Sequence, residues 1–168
     1  GLLDVANRSV PRGPLPEDLP RVCLELMATC HSLALVEGTP KGDPLEVELL
    51  RASAWVLSND DSAHLTALSG PPSSVTRHFI LKHFEFTADK MRAGTLLRRP
   101  TGELLYLLKG SPEVILRLVK RGSIPADVAE LLEKLARDGL RVIAMAFHDF
   151  GQVGEGAALC KSQEELES

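Results

Sequence analysis

Apolar residues recur along the chain in two rhythms, and the change between them lays out the elements. From residue 21 to about 36, Val22, Cys23, Leu26, Met27, Cys30, Leu33 and Ala34 return at helical spacing while Arg21, Glu25 and Ser32 fall elsewhere. That pattern predicts an amphipathic helix, closed by Gly38. A shorter helix is expected after Asp43, which can cap it; Pro44 suits the first helical position, and Leu45, Leu49 and Leu50 form an apolar side. Trp55 to Leu57 read as a strand. Residues 58–74 are rich in turn formers and predict a surface excursion with one short helical turn at its centre.

The period then falls to two. "VTRHFILKHFEF" at 75–86 mixes β-branched, aromatic and charged residues as a long strand does, and "RAGTLLRR" and "ELLYLLK", parted by "PTG", read as a hairpin. Together they predict three adjacent antiparallel strands. Two helices come next, a short one at 114–119 and a longer one at 126–138. The longer carries Val128, Leu131, Leu132 and Leu135 on one face, with Glu130/Lys134 and Glu133/Arg137 as favourable pairs on the other, and stops at Gly139. "LRVIAMAF" is a last strand that sets Arg141 on the side of Ile143 and Met145. No βαβ alternation appears, so the fold class is α+β: an antiparallel β-sheet flanked by helices on its faces. The strand-like "GLLDV" and the polar "CKSQEELES" read as the cut edges of one domain, residues 1–168, excised from a larger protein, and "PRGPLPEDLP" reads as a proline-rich connector that holds no regular element.

Composition narrows the function. The 168 residues are 44% hydrophobic and 25% charged, enough for a real core. A net charge of −4 argues against a general polyanion binder, so any phosphate contact must be local. Cys23, Cys30 and Cys160 have neither disulfide-framework nor zinc spacing; Cys23 and Cys30 share a buried helical stripe, and His31 beside them does not make a metal site. No basic-then-apolar leader and no apolar run of membrane-spanning length is present, so the chain reads as soluble.

The informative stretch is "LLKGSPEVIL" at 107–116. Gly110 turns the chain, Ser111 caps the next helix, Pro112 takes its first position and Glu113 complements the helix dipole. Lys109 is left over, because a cation ahead of a helix N-terminus meets the dipole with the wrong sign. Something anionic or electron-rich is expected beside it.

These residues resemble a known family. "KGSPE" looks like the Lys-Gly-Ala/Ser-Pro-Glu signature of the nucleotide-binding domain of P-type ATPases, and "GDPLE" at 42–46, "FEF" at 84–86 with "RAGTLL", and "DGLRVIAMA" at 138–146 follow the family's order. "ATCHSL", "GDPLE" and "AWVL" look most like its fifth subfamily, in the endolysosomal branch that holds polyamine transporters. The segment after Phe86 departs from the pattern at Met91 and Ala93, with Lys90 and Arg92 flanking the first.

The resemblance implies an ATP-binding domain of a cation or polyamine pump, cytosolic and attached to a multi-pass membrane region of the endosome or lysosome. Its partners would be ATP and the phosphorylation and actuator domains of the same polypeptide, with no nucleic acid, and the isolated domain would be a monomer. The implied site residues are Phe86 stacking on adenine, Lys109 reaching the ring or a phosphate, Glu46 accepting from the adenine amino group, Arg141 pairing with a phosphate oxygen, and Gly110 and Arg92 beside them. Arg141 has a plain alternative as cover for a sheet edge, Glu46 as an early-helix carboxylate, and Phe86 as core. The chain has no Walker loop, no "DKTGT" aspartate and no acidic cluster for magnesium. It would therefore hold no catalytic or metal residue of its own; magnesium belongs to the full-length pump, and the domain positions the γ-phosphate for an aspartate elsewhere. Competing readings are a protein-interaction module of the same fold and the equivalent domain of a metal-ion pump.

Overall fold

The computed structural model describes residues 2–3, 19–59, 65–69 and 75–168. Among them a seven-stranded sheet runs in the order β1-β9-β8-β7-β6-β5-β4, every neighbour antiparallel. Its strands are β1 (Leu2–Leu3), β4 (Val56–Asn59), β5 (Leu65–Ser69), β6 (Thr76–Phe84), β7 (Arg92–Arg98), β8 (Leu104–Gly110) and β9 (Ala144–Gly151). A small hairpin, β2 (Ala34–Val36) and β3 (Thr39–Lys41), stands apart. The helices are α1 (Arg21–Thr29), α2 (Pro44–Ser53), α3 (Pro112–Leu118), α4 (Val128–Arg137), α5 (Glu155–Leu159) and α6 (Gln163–Glu167). The α+β class with an antiparallel sheet and flanking helices is as the sequence predicts.

The interior strand β8 explains the layering. All seven of its residues are buried, because both faces of the sheet are covered there. Side chains alternate along a strand. Leu105 and Leu107 pack with Val22, Leu26, Met27 and Cys30 of the α1 region, together with Leu97 of β7 and Met145 of β9. Tyr106 and Leu108 face the other way, onto Ile115 of α3 and Leu166 of α6. By the same parity Lys109 joins the α1–α2 face. Burying these leucines stabilises each face by roughly 1.5–3 kcal/mol per side chain.

Several local expectations change. The first helix ends at Thr29 instead of near residue 36, since the ring of His31 takes the Ala28 carbonyl (Nε2 to O 3.0 Å) and closes the last turn. The chain then enters the β2–β3 hairpin. Gly38 turns that hairpin rather than capping a helix: Glu37 (φ 52°) and Gly38 (φ 75°) are both left-handed, the requirement of a two-residue type I′ loop. The centre of the 58–74 excursion is not a helical turn, because Leu65–Ser69 forms β5 between β4 and β6. The turns expected at 60–64 and 70–74, like most of the proline-rich connector, lie outside the described residues. The long strand stops at Phe84, so Phe86 sits beyond it, and β9 starts only at Ala144, which leaves Arg141 in the connection from α4.

The caps behave as read. Asp43 accepts from the backbone of Leu45 (2.8 Å) and Glu46 (3.3 Å), and the Ser111 hydroxyl accepts from Val114 (3.4 Å). The polar C-terminal stretch, by contrast, folds into α6, and α5 lies just ahead of it. Ser162 and Glu165 form a reciprocal capping box at the start of α6, and the Ser-x-x-Glu spacing was the available signal. No helix among the described residues is long and apolar enough to cross a membrane.

Candidate functional site

At one end of the sheet, where β8 hands over to α3, a cavity of about 570 Å³ opens between α2, the 85–91 segment and the 141–143 stretch. Its wall includes Glu46, Phe86, Met91, Lys109, Gly110 and Arg141. Five of the six residues implied by the sequence therefore meet at one place. They arrive from four separate segments. Glu46 is held in the first turn of α2, which Asp43 and Pro44 initiate. Lys109 and Gly110 end β8, and the positions of Phe86 and Arg141 just outside their strands turn both into the opening instead of into the sheet.

Phe86 is 56% exposed, so it is no core residue; with Leu45 and Met91, also exposed, it makes an apolar lip. The opposite wall is charged. Lys109, only 8% exposed, donates from Nζ to Glu46 Oε1 at 2.8 Å, and Glu46 Oε2 accepts from the Ser32 backbone N–H at 2.9 Å. The anion that Lys109 needs ahead of α3 is thus supplied by the protein itself, across 63 residues of sequence. Each Glu46 oxygen has a partner, and the other cavity carboxylate, Asp43, is engaged by the α2 backbone.

Gly110 is needed for close packing. A Cβ there would lie 2.5 Å from the Met91 carbonyl oxygen and 2.8 Å from Arg92 Cβ, while the Ser111 N–H donates to that same carbonyl at 3.0 Å. Met91 itself has a left-handed backbone (φ 48°) and closes a turn onto Thr87 (2.8 Å). This turn brings Met91, one of the two residues at which the sequence departs from the pattern it resembles, to the cavity lip.

Arg92 is the residue the structure does not bring in. In the β7–β8 register Ala93 lies opposite Lys109, and Arg92 opposite Gly110. Alternation then sends Ala93 to the cavity side of the sheet and Arg92 to the reverse. There its guanidinium binds Glu167 of α6 through two hydrogen bonds, 2.8 and 2.7 Å.

Beneath the cavity, Cys30 and His31 are buried and inert. Burial pushes the Cys30 thiol up, and its Sγ contacts the Ala93 carbonyl at 3.6 Å. Burial, then the neighbouring His83 ring, holds the His31 pKa down to about 4, and its Nδ1 accepts from the Leu33 N–H at 3.2 Å. That pattern fixes a neutral ring protonated on Nε2.

A scan against protein-family models matches none. Curated relatives are found. Cation-transporting ATPase catp-5 of Caenorhabditis elegans is 31% identical over 71% of this chain, Polyamine-transporting ATPase 13A3 of Mus musculus 30% over 79%, and Polyamine-transporting ATPase 13A2 of Homo sapiens 29% over 83%. With the antiparallel sheet and its flanking helices, these matches place the chain in the P-type ATPases. Within that family it is a relative of the 13A cation- and polyamine-transporting members. It spans 12–14% of the length of these relatives.

Proposed function

We propose that the 168-residue chain is a single nucleotide-binding domain of a P-type cation or polyamine pump, and that the cavity takes the adenine end of ATP. The observation that carries this is the convergence of Phe86, Lys109, Glu46, Arg141 and Gly110 on one opening. The cavity fits the group: its size lies within the ~300–1,000 Å³ range of ligand sites, and it pairs an apolar lip with a charged wall. Phe86 offers an exposed face for stacking, worth about 1–3 kcal/mol per base. Glu46 and Lys109 offer an acceptor and a donor to the ring edge, and Arg141, at the outer rim, offers its fork to a phosphate oxygen. ATP bound this way leaves its γ-phosphate outside, available to an aspartate on a separate phosphorylation domain that would also hold magnesium. The domain then lies on the cytosolic side of an endosomal or lysosomal membrane protein, working with the phosphorylation and actuator domains of its own polypeptide, and is a monomer when isolated.

One observation favours a second reading. Lys109 and Glu46 already neutralise each other, as they would in a protein-interaction module that kept the fold without the ligand. Titration with ATP while following backbone amide resonances separates the two. Shifts clustered at Phe86, Lys109 and Arg141, weakened in Lys109→Ala, support the nucleotide site. Shifts confined to residues 58–74, or an ATP response unchanged in Lys109→Ala, overturn it.

A further inference from the structure

We propose that Arg92 positions the cavity from behind: by clamping the 85–91 segment to α6 it sets where Phe86 and Met91 stand. This rests on the nucleotide reading of the cavity and adds a residue that need never touch the ligand.

The Arg92 guanidinium reaches two places at once. Nε and Nη2 bind the two oxygens of Glu167 at 2.8 and 2.7 Å, while Nη1 turns back to the carbonyl of Lys90 at 3.3 Å, inside the segment that leads from Phe86 to Met91. Lys90 repeats the tie, donating to Gln163 Oε1 at 3.3 Å and pairing with Glu164 Oε1 at 2.9 Å. Glu167 is fixed in turn, since the Tyr106 hydroxyl donates to its Oε1 at 3.0 Å. Both partners of the central pair are largely out of water, with side chains 12% and 5% exposed. A forked guanidinium–carboxylate pair in that setting holds direction as well as distance.

The far side of the segment is pinned as well. Met91 is wedged against Gly110 with no room for a Cβ, and its carbonyl receives the Ser111 N–H, one residue beyond the end of Lys109's strand. The segment is therefore held between α6 on the reverse face and the β8–α3 corner at the cavity. Loosening α6 frees one of those holds, and the apolar lip moves relative to Lys109. Leu166 of α6, 1% exposed among Tyr106, Leu108 and Ile115, anchors the helix to the sheet and makes it a firm post for the clamp.

The test uses Arg92→Gln and Glu167→Gln, with Glu155→Gln as a control that breaks the Arg98–Glu155 tie of α5 and leaves the 85–91 segment alone. Without ligand, the Met91 methyl and Phe86 ring resonances are expected to move in both clamp variants and to stay put in the control. The Kd for ATP is expected to rise roughly 3- to 30-fold in both clamp variants, the range of couplings carried through packed networks, and to hold in the control. If either buried variant does not fold, Glu164→Gln, whose side chain is 60% exposed, loosens the same segment and is expected to move Met91 in the same direction by less. Unmoved Met91 and Phe86 resonances overturn the clamp. A wild-type chain that binds ATP with a Kd unchanged in the clamp variants overturns this inference alone, whereas a wild-type chain that takes no ATP overturns it together with the nucleotide reading.

Discussion

Two carboxylates, the fully buried Glu25 in α1 and the half-buried Glu46 in α2, show how differently one protein can neutralise the same charge. Glu25 is wholly buried and surrounded: Arg99 binds it through two hydrogen bonds (2.9 and 2.6 Å), with His78 and Arg21 each at 3.4 Å. Burial alone would raise its pKa, but hydrogen bonds from His78 and Arg99 outweigh that and hold it below the usual carboxylate range. Glu46 has one point contact from Lys109 and one backbone N–H, on the wall of an open cavity. A lysine ammonium on a flexible stem can swing from one acceptor to another, whereas a guanidinium fork cannot without losing both bonds. The over-determined charge holds the fold, and the more lightly held pair is the one that the proposed nucleotide site would call on to exchange its partner for a ligand.

The largest test of that contrast is Glu25→Ala. It leaves Arg99, whose side chain is 21% exposed, with only the longer contacts to Glu103 (3.3 Å) and Asp149 (3.9 Å), takes the carboxylate from the fully buried His78, and is expected to cost about 3–5 kcal/mol in a denaturant melt, while ATP affinity of the folded fraction holds. A loss under about 1 kcal/mol would place Glu25 no higher than a surface pair.

Next in size is a pH effect beneath the cavity. The folded pKa of His31, about 4, lies below its ordinary 6.5, so the fold favours the neutral ring. That contribution is complete above pH 6.5 and is lost as pH falls from 6.5 towards 4, by up to about 3 kcal/mol. Glu25 acts in the same direction but only below 4.5, where its own depressed pKa starts to matter. Stability curves of wild type and His31→Gln should therefore run parallel above pH 6.5, with the wild type losing up to about 3 kcal/mol relative to the variant as pH falls from 6.5 towards 4. Curves that stay parallel down to pH 4 would refute the assignment.

Lys109→Ala should be smaller in stability than Glu25→Ala and larger in function. Glu46 keeps the Ser32 N–H and access to water in the opening, so the melt should fall by only about 1 kcal/mol, and the Kd for ATP should rise about tenfold. If the stability cost matches that of Glu25→Ala, the two carboxylates are alike and the comparison fails. Smallest of all is Glu48→Gln, which removes the exposed Glu48–Arg51 pair and should change the melt by no more than about 0.5 kcal/mol.

Much of the cavity was legible because its residues sit at punctuation. Asp43-Pro44 must start a helix and Gly110-Ser111-Pro112 must end a strand and start another, so Glu46 and Lys109 could be placed at element ends by local chemistry. The charge conflict at Lys109 also required an anion, although nothing local named Glu46 as that anion. Arg92 could not be placed in the same way. Which face of the sheet it occupies depends on the register of β7 against β8, and its neighbour Ala93 takes the cavity side. The first helix was overextended for a similar reason: its apolar period runs on through Leu33, but the His31 ring intercepts the last turn and Glu37-Gly38 folds the chain back.

By itself, then, the sequence determined the α+β class, the caps and five of the residues that line the cavity. These come from period, charge and turn chemistry within a few neighbours. The tertiary structure alone decided that Lys109 pairs with Glu46, that Phe86 and Arg141 project beyond their strands into one opening, and that Arg92 looks away from it towards α6. Those are contacts between segments far apart in the chain, and a one-residue change of register would exchange every face they depend on.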